Sequence, residues 1–265
     1  MTATEKLKLI QVKIERAKEH ITNLKEIIQG FINSEPYQVN TKRDAERRLV
    51  YYLSKVEPTP TSFAIIAGDV IQNLRTTLDH LAWQLFLIGT RGTANNKHIY
   101  FPTAEDATAY NSRLWELRRK GLRSDAITVF NGIQPYKGGK DDKLWVLNEL
   151  NIRDKHRLLV TVGSAFQSLN LGAYMTAQLS NNQFDIPIPK LNAYFRPADN
   201  LFPLKAGDEL FKDVVDAQAS KDLDFRFNIV LNEPGVIEGA PLIDTLNGFS
   251  DIVSKTILLF GQCLA

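Results

Sequence analysis

The first thirty residues carry apolar side chains at alternating intervals of three and four positions, and this pattern limits the fold more than any other in the chain. The residues concerned are Leu7, Ile10, Ile14, Ala17, Ile21, Leu24 and Ile28. Their spacing places them on one face of a long helix that ends before Pro36, and Thr2 with Glu5 predicts a capping box at its start. About three and a half heptads is short for a free coiled-coil dimer. A helix of a bundle is therefore favoured over a coiled-coil seam.

Two further segments show the same helical pattern. The second helix follows Pro58 and Pro60, with Thr61 or Ser62 as its expected N-cap. Its apolar positions are Ile66, Val70, Leu74, Leu78, Leu81, Leu85 and Ile88. The last helix opens at Pro241, a position that proline tolerates, and its stripe is Leu242, Leu246, Phe249, Val253, Ile257 and Phe260. Because such a stripe has to be buried, we expect the last helix to return to the N-terminal helices.

Other segments have the pattern of strands. Leu49–Leu53 is rich in β-branched and aromatic residues and favours a strand, with a hairpin turn at residues 40–44 and a helix over 43–55 as the competing interpretation. Later strands are expected at residues 159–162, 172–176, 192–195, 208–212 and 224–231. Turn residues separate these later strands, so they should form an antiparallel sheet.

These patterns predict the α+β class: mainly an α-helical bundle, with an antiparallel β-sheet inserted before the C-terminal helix. The bundle should span residues 1–158, with a possible hairpin near 37–57. Shorter helices are expected near 104–119 and 123–132, and another from Asp141 or Asp142 to about Leu158. The antiparallel β region should cover 159–232, and the helix at 239–263 should return to the bundle.

Composition bounds the classes of function. The 265 residues include 32 basic and 30 acidic side chains, a formal charge of +2, so no overall field draws the chain to nucleic acid or to an anionic membrane. The single cysteine, Cys263, excludes a disulfide within the chain and suits a reducing cytosol. We expect no signal peptide and no membrane span, because no stretch reaches the roughly 18 apolar residues that a span needs.

The second helix carries a polar stripe beside its apolar face. At 100° per residue, Asp69, Asn73, Thr76 and His80 share one side, and Asp79 lies at its edge. Arg75 precedes Asp79 by four residues, a spacing at which an ion pair is expected. The stripe is either a solvated face or, since it carries amides and hydroxyls instead of Lys and Glu, a polar contact with a helix or a ligand.

Asp154 is the anomaly of the helix before the β region. Its position coincides with the buried side marked by Leu144, Leu147 and Leu150, where a carboxylate is costly unless paired. Arg75 is its expected partner and His80 the second choice. Asp154 would then act as a buried salt bridge that fixes helix docking, or as an orienter for a catalytic group. His156 shares another face with Glu149 and Arg153.

Familiar catalytic motifs do not occur in the sequence. There is no phosphate-binding loop, no dinucleotide-binding glycine motif after a strand, no metalloprotease HExxH and no nucleophile elbow. A metal site from His80, His156, Asp69 and Asp154 is disfavoured, because no pair among them has the i, i+3 or i, i+4 spacing of helical metal ligands. We therefore expect no metal and no cofactor.

The segment Leu74–His80 resembles the R-x4–6-H motif of the HEPN superfamily. A longer pattern also resembles a family of bacterial proteins that carries no assigned activity. That pattern combines GD-x3-NLR-x3-DHLA at residues 68–82, QPY at 134–136 and DKHRLL at 154–159. The HEPN resemblance implies a dimeric four-helix bundle with Arg75 and His80 in a shared cleft. Many such proteins are metal-independent ribonucleases, and others bind nucleotides or protein partners.

Two hypotheses about function follow. In the first, the chain is a HEPN-like metal-independent ribonuclease or defence protein, cytosolic and homodimeric, which acts on RNA or a nucleotide. His80 is then the general acid/base, Arg75 stabilises phosphate charge, and Asp69, Asn73, Asp79, Asp154 and His156 support them. Arg75 and His80 point about 140° apart on one helix, so a second subunit would have to complete the pair. In the alternative, the chain is a non-catalytic binding or regulatory module whose Arg75, Asp79, Asp154 and His156 form a structural polar core.

Overall fold

The computed structural model describes residues 2–92, 98–156, 159–170, 194–195, 202–215 and 223–265. The described residues form the predicted α+β fold. Its helices are α1 (Ala3–Asn33), α2 (Thr61–Gly89), α3 (Ala107–Arg119), α4 (Ser124–Ile133), α5 (Lys143–His156) and α6 (Leu242–Leu259), followed by a short 3₁₀ turn at Gly261–Leu264. The strands are β1 (Tyr37–Arg43), β2 (Arg48–Val56), β3 (Val162–Asn170), β4 (Tyr194–Phe195), β5 (Glu209–Val215), β6 (Asp224–Glu233) and β7 (Ile237–Pro241).

The main core lies among α1, α2, α5 and α6. The apolar stripe of α1 is buried against the chain's own helices, chiefly α2 and α6, so the bundle interpretation is confirmed over the coiled-coil seam. The expected capping box is present: Thr2 N–H donates to Glu5 at 2.7 Å, and Glu5 N–H donates to the Thr2 hydroxyl at 3.2 Å. The expected cap of α2 is wrong, because Pro60 is its N-cap residue and no side chain caps it.

The C-terminal helix returns to the bundle as predicted. Leu242, Leu246, Phe249, Val253 and Ile257 of α6 are buried in the same core as α1 and α2. Pro241 is the last residue of β7 and the N-cap residue of α6, so the helix itself begins at Leu242. In the described part of the chain, no helix combines the length and the apolar character that crossing a membrane requires.

Residues 37–56 form an antiparallel hairpin, as the strand interpretation of this segment expected. The turn lies later than predicted: β1 continues through Arg43, and the turn begins at Asp44. The Asp44 carboxylate accepts backbone N–H bonds from Glu46 at 3.1 Å and Arg48 at 2.9 Å, which fixes the turn at that position.

The strands divide into two small antiparallel sheets with the orders β1-β2-β5 and β4-β3-β6-β7. The single inserted sheet expected over 159–232 is therefore wrong in one respect, because β5 pairs with the N-terminal hairpin. Residues 159–161 precede β3, which starts at Val162, and the strand predicted at 172–176 lies outside the described residues. A second core joins the two sheets and includes Leu49, Tyr51, Leu53, Phe166, Leu169, Leu204, Leu210 and Leu223.

Candidate functional site

A polar cavity lies between α2, α3, α5 and the extended segment 98–104. Its volume of about 400 Å³ falls in the usual range of roughly 300–1,000 Å³ for small-molecule sites. Buried residues form its floor: Arg75, Phe101, Thr103, Ala104, Trp145 and Asn151. Exposed residues form its rim: Tyr100, Glu105, Arg113, Ile152, Lys155 and His156. Asp79, Asn148 and Glu149 are half-buried in its walls.

Arg75 and Asp79 hold the main chain of Phe101 against α2. Nη2 of Arg75 lies 2.9 Å from Oδ1 of Asp79 and donates to the Phe101 carbonyl at 2.9 Å. The Phe101 N–H donates to the same Asp79 oxygen at 2.9 Å. This ion pair, one helical turn apart, confirms the pairing expected from the sequence. It also compensates a guanidinium that is only 5% exposed.

These contacts leave the Arg75 guanidinium incompletely satisfied. Its Nη1 atom is buried and has no hydrogen-bond partner within the residues that the structure describes. Burial lowers the pKa of Arg75, Asp79 opposes that shift, and the nearby charge of Arg113 adds to it. A buried donor without a partner costs about 1–3 kcal/mol. An acceptor that reached Nη1 would remove that cost.

Arg113 brings a second guanidinium to the cavity. It projects from α3 and donates through Nη1 to the carbonyl of Thr103 on the floor. A guanidinium has five N–H donors in a planar fork that matches carboxylate and phosphate oxygens. Arg75 at the floor and Arg113 at the rim therefore suit an oxyanion between them.

The opposite wall is provided by α5. Asn151 is 5% exposed and lies at the floor. The Asn148 amide donates to Oε1 of Glu149 at 3.2 Å, and within the described ranges Glu149 has no cationic partner closer than 4 Å. Lys155 and His156, in the last turn of α5, complete the rim. The cavity thus offers both charge signs and amide groups.

Two segments singled out from the sequence meet at this cavity. Arg75 and Asp79 belong to the first, on α2, and Lys155 and His156 to the second, at the end of α5. No family model, curated protein or solved structure matches this chain. Any functional assignment therefore depends on the shape, charges and unsatisfied groups of the cavity.

His80 does not belong to this cavity. It is exposed and lies in a separate pocket of about 350 Å³ between α1 and α2, beside Lys6, Leu9, Ile10, Trp83 and Gln84. The five-residue separation from Arg75 turns its side chain to another side of α2, in agreement with the expected angle of about 140°. The expectation that His80 and the charged residues of α5 share one interior pocket is wrong for a single chain.

The rest of the polar stripe on α2 is exposed or partly exposed to solvent. Asp69 is exposed, and Asn73 and Thr76 are half-buried. The Asn73 amide donates to the Asp69 carbonyl of its own helix at 2.8 Å. Asp69 and Asn73 therefore support neither Arg75 nor His80 by direct contact, and the solvated-face interpretation fits this part of the stripe.

Asp154 faces α2, as its alignment with the buried leucines predicted. The predicted ion pair with Arg75 is wrong, and so is the second predicted partner, His80. Asp154 lies against Gly68 instead, and a Cβ built on that glycine would be 2.6 Å from its Oδ1. Oδ1 is buried without a hydrogen-bond partner in the described structure. Burial raises the pKa of Asp154, the Val160 N–H opposes the shift, and Asp69 reinforces it.

The proposed structural core of Arg75, Asp79, Asp154 and His156 is therefore divided. Arg75 and Asp79 are paired, His156 is an exposed rim residue, and Asp154 packs separately against Gly68. Elsewhere on α5, Arg153 donates to Glu233 at 2.9 Å and to the Pro234 carbonyl at 3.0 Å, which ties the helix to β6.

Most residues that line the cavity were not among the predicted site residues, and these include Arg113, Thr103 and Asn151. Arg113 stands among several charged residues of α3, and nothing in its spacing separates it from Arg118 or Arg119. Asn151 offered a usable signal, because it follows Leu150 and precedes Ile152 within the predicted buried side of α5. A buried amide of this kind generally needs a partner or a ligand.

A metal centre is not apparent in the described ranges, where no three or more His, Cys, Asp or Glu side chains are grouped to hold an ion. His80, His156, Asp69 and Asp154 are distributed over the pocket beside α1, the cavity rim, the solvated stripe and the Gly68 contact. These four residues are therefore too widely distributed to form one metal site. Cys263 is buried, and burial raises its pKa, which favours the unreactive thiol.

Proposed function

We propose that this protein is a binding module whose cavity takes the anionic group of a ligand. The observation that carries this proposal is the Arg75 guanidinium, buried at the floor of a cavity of about 400 Å³ with a nitrogen that has no hydrogen-bond partner among the described residues. A carboxylate or phosphate oxygen at the floor supplies the missing acceptor. Arg113 at the rim adds a second charge-assisted hydrogen bond.

The Arg75 guanidinium is held in place before a ligand binds, and its buried Nη1 becomes accessible to a ligand oxygen only when neighbouring groups of the floor shift. Asp79 and the Phe101 main chain fix the Arg75 side chain before a ligand arrives. A fixed guanidinium loses little side-chain entropy on binding, so more of its interaction energy appears as affinity. RNA and nucleotides are sources of a phosphate group, and metabolites are sources of a carboxylate.

Calorimetric titration of the protein with inorganic phosphate, acetate, adenosine monophosphate and a short RNA tests the proposal. We expect at least one anion to bind, and Arg113→Gln to weaken it roughly tenfold or more, because a hydrogen bond to a charged group contributes about 1.5–3 kcal/mol. Arg118→Gln is the matched control, since it removes the same charge from an exposed position on α3 outside the cavity. Equal effects of the two substitutions would contradict the proposal.

The second candidate function is the HEPN-like metal-independent ribonuclease. One observation favours catalysis: His156 lines the same cavity as Arg75 and Arg113. In such a reaction an imidazole takes the proton of the RNA 2′-hydroxyl, whose oxygen attacks phosphorus while the 5′-oxygen leaves and gains a proton from solvent. The guanidinium groups would stabilise the charge on the phosphate oxygens.

RNA cleavage in the presence of a chelator tests this candidate. If His156 supplies the imidazole, His156→Ala abolishes cleavage and His80→Ala leaves it intact. If the resemblance identifies the right residue, His80→Ala abolishes it, and a homodimer must bring His80 of one copy to Arg75 of the other, which light scattering would detect. A wild type without cleavage leaves the binding module as the function. We place either function in the cytosol, where a buried, unpaired thiol such as Cys263 is ordinary.

A further inference from the structure

The cavity contains an unmatched group of each sign. Arg75 lines the floor and has a buried Nη1 without a hydrogen-bond partner among the described residues, and Glu149 is a half-buried carboxylate in the wall of α5. Within the part of the chain that the structure describes, the hydrogen bond of Glu149 is with the neutral Asn148 amide at Oε1, and no cation pairs with this carboxylate. A ligand ammonium beside this carboxylate would form a charge-assisted hydrogen bond with it.

The charges around the cavity balance without a ligand. Arg75 is neutralised by Asp79. Among the described lining residues, the other charged side chains are two positive ones, Arg113 and Lys155, and two negative ones, Glu105 and Glu149. A ligand with a strong net charge would upset this balance, whereas a ligand that carries one anion and one cation preserves it.

We propose that the ligand is a small zwitterion of the amino-acid type, with its carboxylate on Arg75 and Arg113 and its ammonium on Glu149. This inference rests on the proposed binding function and narrows it from any anion to an α-amino acid or a close relative. Tyr100, exposed at the rim, offers an aromatic face to the ammonium or to the rest of the molecule, whereas the Trp145 ring already has the Lys137 ammonium 5.1 Å from its centroid.

The experiment titrates the wild-type protein with each standard amino acid by calorimetry. The best binder is then compared with its N-acetyl derivative, which lacks the ammonium, and with its C-terminal amide, which lacks the carboxylate. We expect each derivative to bind at least about tenfold more weakly, because each loses one charge-assisted contact. This comparison uses only the wild type, so it does not depend on the folding of any variant.

A variant assigns the ammonium to its partner. Glu149→Gln should weaken the amino acid about tenfold or more and leave the affinity of the N-acetyl derivative unchanged, since only the amino acid loses a contact. Glu116→Gln is the control, because it removes a carboxylate from an exposed position on α3 outside the cavity and should change neither affinity. Equal losses for both ligands in Glu149→Gln would overturn the assignment.

The failures of the two proposals are distinguishable. If phosphate, acetate or adenosine monophosphate binds and no amino acid does, the zwitterion inference fails and the binding function stands. The same holds if an amino acid and its N-acetyl derivative bind equally well. If no anion and no amino acid binds at millimolar concentration, both fail.

Discussion

The contact between α2 and α5 buries charge in two places, at Arg75 and at Asp154, and the two are stabilised in opposite ways. Arg75 pairs with Asp79 on its own helix and donates a hydrogen bond to the Phe101 carbonyl. It also borders a cavity. Asp154 forms no salt bridge with the described residues, lies against Gly68 and keeps Oδ1 without a hydrogen-bond partner among them. Only the charge of nearby Lys155 opposes the rise in its pKa alongside the Val160 N–H. Burial shifts both pKa values toward the neutral form, downward for Arg75 and upward for Asp154.

The difference follows from which of the two groups can give up its charge. An arginine stays protonated in proteins, so burying one requires a permanent counter-ion. An aspartate can take up a proton and become neutral, so its burial is tolerated without one. Arg75 is accordingly a lasting charge suited to hold a ligand, whereas Asp154 is a packing residue whose charge depends on pH.

Removing the charge of Arg75 should lower the free energy of unfolding more than any other substitution considered below. Arg75→Met leaves Asp79 without its cation and the Phe101 carbonyl without its donor, and we expect a loss of about 3–5 kcal/mol in the free energy of unfolding. Urea denaturation followed by circular dichroism measures it. The exposed Arg118→Met on α3 is the control and should change stability by less than about 0.5 kcal/mol.

A double-mutant cycle isolates the ion pair. If Arg75→Met is costly because it strands Asp79, then adding Asp79→Asn should recover part of the loss. A cost below about 1 kcal/mol for Arg75→Met, or strict additivity of the two substitutions, would show that the pair contributes nothing to the docking of Phe101.

Adding a methyl group at Gly68, beside Asp154, should lower the stability of the protein. Gly68→Ala places a Cβ 2.6 Å from Oδ1 of Asp154, so the carboxylate or the helix has to shift. We expect a loss of about 1–3 kcal/mol from the overpacking, measured by the same denaturation. Gly248→Ala in α6 is the control: its Cβ has its nearest neighbour at 3.8 Å, and it should gain up to about 1 kcal/mol from helix propensity.

The partner of Gly68 can be tested in the same series. In an Asp154→Ala background the steric conflict is gone, so Gly68→Ala should become as favourable as Gly248→Ala. A Gly68→Ala penalty that persists in that background would place the conflict elsewhere than at Asp154.

The charge of Asp154 should make stability fall as pH rises. Because its folded-state pKa lies above the unfolded value of about 3.9, the folded chain binds more protons between these two pKa values, and stability declines across that window. Asp154→Asn removes this dependence. The difference in unfolding free energy between Asp154→Asn and the wild type should therefore grow from pH 4 to pH 7. A difference independent of pH would contradict the raised pKa.

The sequence predicted those features that depend on one element at a time. The helical stripes alone identify the bundle and the return of α6, because burying a periodic apolar face leaves few arrangements. The Arg75–Asp79 pair is likewise local, at four residues along one helix. The orientation of Asp154 toward α2 also followed from its angular position on α5.

The sequence could not give the relative placement of two elements. Gly68 and Arg75 are seven residues apart on α2, or about 10 Å along the helix axis, and Asp154 lies at the level of Gly68. Nothing in either helix encodes that level, which depends on how the whole bundle packs. The same limit explains why Arg113 was missed and why β5 pairs with the N-terminal hairpin instead of with its neighbours in the chain.

The smallest change in stability is expected from His80→Ala. This substitution tests whether the side of α2 that carries His80 contributes to the cavity on the other side. His80 is exposed beside α1 and has no contact with the cavity, so its loss should change the unfolding free energy by less than about 0.5 kcal/mol. Anion affinity should stay unchanged as well, whereas His156→Ala should reduce it, because the imidazole lies at the rim. Titration of both variants with the same ligand makes the comparison. A His80→Ala variant that loses affinity while a light-scattering measurement shows a dimer would mean that a second copy carries its histidine into the cavity, and the site would then belong to two chains instead of one.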